Sequence, residues 1–119
     1  MSMFGRLVRV GLVLATAFGA SAALAEDAPE SIRIGYAISL TGPYAPGAES
    51  TGWSQYKLWQ KDVNDAGGIY LKKYDKKVPV ELVEYDDRSQ IDEMLKLVER
   101  LIIEDKVDLV LAPWGSAMN

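Results

Sequence analysis

From Ile32 to Ala112 the apolar residues switch between two rhythms, and each switch marks an element boundary. Ile32-Arg33-Ile34-Gly35-Tyr36-Ala37-Ile38 is a short apolar-rich run closed by Ser39-Leu40-Thr41-Gly42-Pro43, which predicts a strand and then a loop. From about Glu49 the interval lengthens. Trp53, Tyr56, Trp59, Val63 and Ala66 recur every three or four residues, with Lys57, Lys61, Asp62 and Asp65 between them. That spacing predicts an amphipathic helix, stopped by Gly67-Gly68. Val78 to Tyr85 reads as a second strand, and Pro79, which lacks a donor, belongs near its start or at an edge. Ser89-Gln90-Ile91-Asp92 has the form of a capping box with the shorter acid in its last place. Ile91, Met94, Leu95, Val98, Leu101 and Ile102 then share one helical face, with Glu93, Lys96, Glu99 and Arg100 opposite. Asp108 to Ala112 is almost continuously apolar, which predicts a third strand buried on both faces and ended by Pro113-Trp114-Gly115-Ser116.

The order β-α-β-α-β predicts an α/β fold in which right-handed crossovers build a parallel sheet covered by helices on both faces. No internal repeat or low-complexity tract interrupts it. Three strands and two helices leave one face thinly covered. Residues 32–119 therefore read as the opening part of a larger α/β domain, supplied as a fragment or a truncated product.

Ahead of this pattern lies a different one. Arg6 and Arg9 precede an apolar run from Val10 to Phe18, and small residues lead to Ala23-Leu24-Ala25. A positive start, a short apolar stretch and an A-x-A site predict an export signal, residues 1–25, cleaved after Ala25. A membrane anchor is the alternative, but the apolar run is about half of the ~20 residues that span a bilayer, and its downstream flank is acidic. Residues 26–31 then form a flexible mature N-terminus, and the expected location is the periplasm.

Charge and composition narrow the function. The 119 residues carry a net charge of −4, and losing Arg6 and Arg9 with the leader takes it to −6. An acidic chain without a basic block argues against nucleic acid and anionic membrane surfaces as partners. Lys72, Lys73, Lys76 and Lys77, around Tyr74, make the one basic cluster, read as a solvated loop or hairpin tip. The chain has no cysteine and no histidine. Packing rather than disulfides must hold it, a lipid anchor on cysteine has no attachment point, and zinc sites, Ser-His-Asp triads and Cys-His dyads cannot be assembled from it. No cofactor and no metal are expected.

In open α/β sheets ligands sit beyond the C-terminal ends of the strands, where successive connections diverge to opposite faces. With strand order 2-1-3, the loops Ser39–Gly47 and Pro113–Ala117 would lie side by side there. Both carry hydroxyls (Ser39, Thr41, Ser116), glycines (Gly42, Gly47, Gly115) and aromatic walls (Tyr44, Trp114), the groups a small-molecule clamp uses. A helix following Ser116 would aim free N–H groups at an anion, ideally a carboxylate. The stripe of Trp53, Tyr56 and Trp59 has helical period and reads as core packing rather than a stacking platform. Asp86-Asp87 reads as a cap or loop brace before a metal or acid/base pair, and Glu49 as an answer to the helix dipole in a first turn.

Four segments in register carry a resemblance: Ile32-Arg33-Ile34-Gly35; Leu40-Thr41-Gly42-Pro43-Tyr44-Ala45; Asp62-Val63-Asn64-Asp65-Ala66-Gly67-Gly68-Ile69; and Val83-Glu84-Tyr85-Asp86-Asp87. Together they make Ser31–Asn119 similar to the start of the periplasmic substrate-binding proteins of branched-chain amino acid and amide ABC transporters. The resemblance implies two α/β lobes closing about a hinge on a solute, with this chain matching the front of the first lobe. It implies that Gly115, Ser116 and Ala117 hold the ligand's carboxylate and that Tyr44 flanks its side chain. Thr41 and Trp114 complete the candidate set. Pro113-Trp114-Gly115 departs from the smaller residues often found there, so an aromatic acid or an amide stands beside a branched aliphatic ligand. The expected function is solute capture for a membrane permease, by a monomer and without catalysis. A sensory domain of the same fold is the alternative, and an exported α/β enzyme a weaker one, because Gly115-Ser116 lacks the G-x-S-x-G frame of a nucleophile elbow.

Overall fold

The computed structural model describes residues 26–117; the expected signal peptide and its Ala23-Leu24-Ala25 site lie outside the described residues, as do Met118 and Asn119. The elements are β1 (Ile32–Ile38), α1 (Ala45–Ala48), a π-helical turn (Glu49–Trp53), α2 (Ser54–Asp65), β2 (Ile69–Leu71), β3 (Lys76–Val78), β4 (Val80–Asp86), α3 (Ile91–Ile103) and β5 (Leu109–Val110). The main sheet is parallel with order β4-β1-β5, the 2-1-3 arrangement on which the side-by-side placing of the two loops was conditional. β1 pairs with β4 along its whole length, from Ile32 opposite Val80 to Ile38 opposite Asp86. β5 pairs with β1 more briefly, Ile34 opposite Leu109 and Gly35 opposite Val110.

β1 is central because its residues bury on both sides. Tyr36 and Ile38 pack with Ala48, Leu40, Trp53, Tyr56, Leu82, Leu111 and Trp114. Ala37 packs on the other side with Met94, Tyr85, Leu97 and Val98. Gly35 has no side chain because α3 comes close: a Cβ there would lie 2.6 Å from Leu101 Cδ2. α2 stops as expected. Gly67 and Gly68 have φ of +92° and +95°, and their amides donate back to Asn64 and Val63 carbonyls, a Schellman ending. Asn64 then pairs its side-chain amide with both the N–H and the C=O of Val80, which fixes where β4 begins.

Several expectations are corrected. The first helix starts at Ala45 rather than near Glu49, because Pro46 suits a first turn; Glu49 therefore sits beyond that turn and outside the reach of the N-terminal dipole. A two-stranded hairpin, β2-β3, stands between α2 and β4, with the Lys72–Asp75 turn at its tip and Pro79 separating β3 from β4. The capping box does not form: Gln90 is the N-cap, with no side-chain cap, and Ser89 turns away to the β1 loop. β5 is the edge of the sheet, not a strand buried on both faces, and Leu109 is 56% exposed. On the two long helices Trp59, Ile91, Leu95 and Ile102 are exposed, while Met94 and Leu101 are buried as their spacing implied. None of the helices among the described residues is long and apolar enough to cross a membrane.

Candidate functional site

Parallel pairing on both sides of β1 brings the loop after β1 and the loop after β5 to the same end of the sheet, next to each other. The first of these loops is held by the tip of β4. Asp86 Oδ1 accepts from the backbone amides of Leu40 (3.0 Å), Thr41 (3.2 Å) and Arg88 (2.8 Å), and its Oδ2 accepts from Thr41 Oγ1 at 2.7 Å. Burial works to raise the Asp86 pKa, but the bonds from Thr41, Arg88 and Leu40 outweigh it and hold the carboxyl below its ordinary value. Asp87 is fully buried; its Oδ1 accepts from Ser39 Oγ (2.6 Å) and the Ser89 amide (2.8 Å). The two aspartates thus brace a loop, as their position suggested.

Ser89 completes the brace. Its hydroxyl donates to the Thr41 carbonyl at 2.7 Å and accepts from the Tyr44 amide at 3.1 Å. Gly42, with φ +85°, keeps the crossing open: a Cβ there would stand 2.7 Å from Ser89 Oγ. Sequence reasoning placed Ser89 in a helix cap and missed this role. The signal was the unusual run Asp86-Asp87-Arg88-Ser89 at a strand end, where Arg88 and Ser89 both take positive φ.

Trp114 joins the two loops. Its ring centroid lies 6.1 Å from that of Tyr44, tilted by 49°. Its Nε1 donates to Thr51 Oγ1 at 2.8 Å, and that hydroxyl donates in turn to the Gly47 carbonyl at 2.8 Å. Tyr56 adds a second tie, its hydroxyl donating to the Ala112 carbonyl at 3.3 Å. Beneath, Glu84 accepts from Tyr36 (2.5 Å), Trp53 Nε1 and Lys57 Nζ (3.3 Å), so the helix start is bolted to β4. Burial first, and then this bond to Glu84, raise the Tyr36 pKa far above the ordinary phenol value, so it stays a donor.

Of the expected residues, Tyr44 and Trp114 meet, and Thr41 lies in the same loop with its hydroxyl proton committed to Asp86. Gly115 has φ +95°, a glycine conformation with open space where a Cβ would be. Ser116 and Ala117 follow on the exposed rim. A recess of about 260 Å³ lined by Leu40, Glu49 and Trp53 opens beside the β1 loop. Among the described residues no group of three acidic side chains could hold a metal ion. Tyr44, Trp114 and the exposed Ser116 and Ala117 thus lie at one end of the sheet.

A family model described as periplasmic binding protein matches residues 31–119. The branched-chain amino acid transporter substrate-binding protein of Streptococcus pneumoniae, solved with isoleucine, is 30% identical, with a TM-score of 0.60 over 74% of this chain and 23% of that one. A periplasmic binding protein type 1 from Bordetella pertussis has the same fold, at 24% identity and a TM-score of 0.58 over 74% of this chain and 22% of its own. A branched-chain amino acid ABC transporter ligand-binding protein from Burkholderia xenovorans is 25% identical, with a TM-score of 0.50 over 68% and 20%. The chain therefore spans less than a quarter of the length of each of these structures. No curated protein matches it.

Proposed function

The chain belongs to the periplasmic binding protein family, and from that premise we propose that its β1 and β5 loops form one jaw of a solute site serving an ABC importer. The observation that carries this reading is the contact between Tyr44 and Trp114, which makes the two loops one surface ending in Gly115-Ser116-Ala117. In this reading Ser116 and the amides of Gly115 and Ala117 hold the solute's carboxylate, with charge-assisted hydrogen bonds. Tyr44 and Trp114 flank the rest of the molecule, and Thr41 offers its hydroxyl lone pairs. A second lobe supplies the opposite jaw, a permease receives the solute, and capture takes place in the periplasm after removal of residues 1–25. No bond is made or broken.

One jaw alone encloses a solute on one side only, so binding by the 119-residue chain is weak, in the millimolar range. The test is an amide chemical-shift titration with small carboxylates, which detects such affinities. The Ser116 and Ala117 amides should respond saturably, and Ser116→Ala should weaken the response. Shifts that are confined to the far end of the sheet, at the β2-β3 hairpin, would refute the assignment.

A further inference from the structure

We propose that Trp114, seated in a cradle of two glycines, sets the solute class of this jaw as carboxylates bearing a flat aromatic group, in preference to branched aliphatic ones. The inference rests on the site reading above and adds the identity of the side-chain subsite.

The cradle fits an indole. Gly47, in α1, and Gly52, within the π-helical turn, are five residues apart, the i→i+5 step of that turn. A Cβ on Gly47 would lie 2.4 Å from Trp114 Cη2 and Cζ2, and one on Gly52 would lie 3.3 Å from Cδ1. The six-membered ring therefore rests over one missing side chain and the five-membered ring over the other. Thr51, within the π-helical turn, accepts the indole N–H and spends its own proton on the Gly47 carbonyl. That directs the hydrogen-bond chain one way and fixes the ring in its plane. Trp114 is thus held in place rather than free to swing across the cleft as a lid.

Trp114 is half-buried, and the ring of Tyr44, 38% exposed, lies 6.1 Å from it, centroid to centroid, tilted by 49°. Ser116 is two residues further on, its Cα no more than about 7.6 Å from that of Trp114. In the proposed pose, a molecule whose carboxylate reaches Ser116 lays its remainder against these two rings. A planar ring stacks there in offset or edge-on geometry, worth roughly two- to tenfold in affinity beyond the area it buries. A branched aliphatic group gains only the area.

The test is a titration of the isotope-labelled chain with benzoate, L-phenylalanine and L-isoleucine, following the Trp114 indole N–H and the Ser116 amide. The expected result is saturation by the two aromatic carboxylates at two- to tenfold lower concentration than by isoleucine. Trp114→Leu should abolish that preference while leaving the Ser116 response, and Trp114→Phe, which keeps a ring but loses the bond to Thr51, should retain part of it. Well-dispersed amide spectra of both variants certify that they fold. Equal or tighter saturation by isoleucine overturns the specificity inference and leaves the site reading standing. If no carboxylate moves the Ser116 amide, the site reading falls and this inference falls with it.

Discussion

The loop after β1 and the loop after β5 occupy the same end of one sheet and are held by opposite means. The β1 loop is laced from the side by polar groups at and just after the tip of β4: Asp86, Asp87 and Ser89 between them engage Ser39, Leu40, Thr41 and Tyr44. The β5 loop leans on the π-helical turn through one indole and on α2 through one tyrosine hydroxyl. Position in the sheet explains the difference. β1 is central and has a neighbour whose polar tip can reach over, whereas β5 is an edge strand paired through two residues. The contrast teaches how a one-sided site can be part fixed and part adjustable: donors in the first loop are already committed, while Ser116 and Ala117 stay exposed at the rim.

If the lacing of the β1 loop is what fixes it, the largest loss should come from Asp87. Asp87→Ala strands a fully buried Ser39 hydroxyl and the Ser89 amide without their acceptor. We expect a destabilisation of about 3 kcal/mol, read from the urea midpoint at unchanged slope. Asp87→Asn should cost much less, about 1 kcal/mol, because it keeps one acceptor oxygen, and the Oδ2 atom it replaces is buried without a hydrogen-bond partner among the described residues. Equal losses for the two variants would mean that the carboxylate's charge, not its acceptor geometry, braces the loop.

The opposing loop is probed by Gly47→Ala, whose Cβ would enter the space of the Trp114 ring. Overpacking of this kind costs about 1–3 kcal/mol, and here the indole can yield by leaving its cradle. Loss of the bond to Thr51 should then shift the Trp114 indole N–H resonance while the Leu40 and Thr41 amides stay put. Movement of both sets together would show that the loops are one unit rather than two.

Of the two loops, acid should act on the β1 loop. Asp86 has a folded-state pKa below its ordinary 3.8, so its contribution is complete above that value and drains away as pH falls further through the depressed one. Denaturation at pH 5 and at pH 3 should therefore differ more for the native chain than for Thr41→Val. That variant lacks the hydroxyl that donates to Asp86, and it should itself cost about 1 kcal/mol at neutral pH. An acid sensitivity that is unchanged in Thr41→Val would count against this assignment.

The same contrast decides how much of the structure could be read from the chain. The parallel sheet followed from alternating strands and helices, and right-handed crossovers leave few orders for three strands, of which 2-1-3 was the one assumed. Asp86 and Asp87 were legible as braces, since acidic residues at a strand end before a helix usually serve that purpose. Ser89 was not, because a local capping motif and a contact 48 residues away in sequence compete for the same hydroxyl. The seat of Trp114 was hidden as well: two glycines five apart mean nothing until a π-helical turn puts them under one ring. β5 is apolar as a strand buried on both faces would be, and among the described residues it has one strand neighbour, β1.

The smallest expected effect on stability belongs to Ser116, and it separates the two loops most sharply. Ser116 is exposed and no hydrogen bond of its side chain is part of the braces described above, so Ser116→Ala should change stability by no more than about 0.5 kcal/mol. If the residue holds a carboxylate, the same substitution should weaken solute binding severalfold, the usual consequence of deleting one hydrogen bond to a charged group. A variant as stable as the parent but poorer at binding places Ser116 in the adjustable half of the site. Thr41→Val should show the reverse, a stability loss that exceeds its effect on binding, because its proton is already given to Asp86. Should Ser116→Ala prove as destabilising as Thr41→Val, the β5 loop would be braced like its neighbour and the division between a fixed and an adjustable half would not hold.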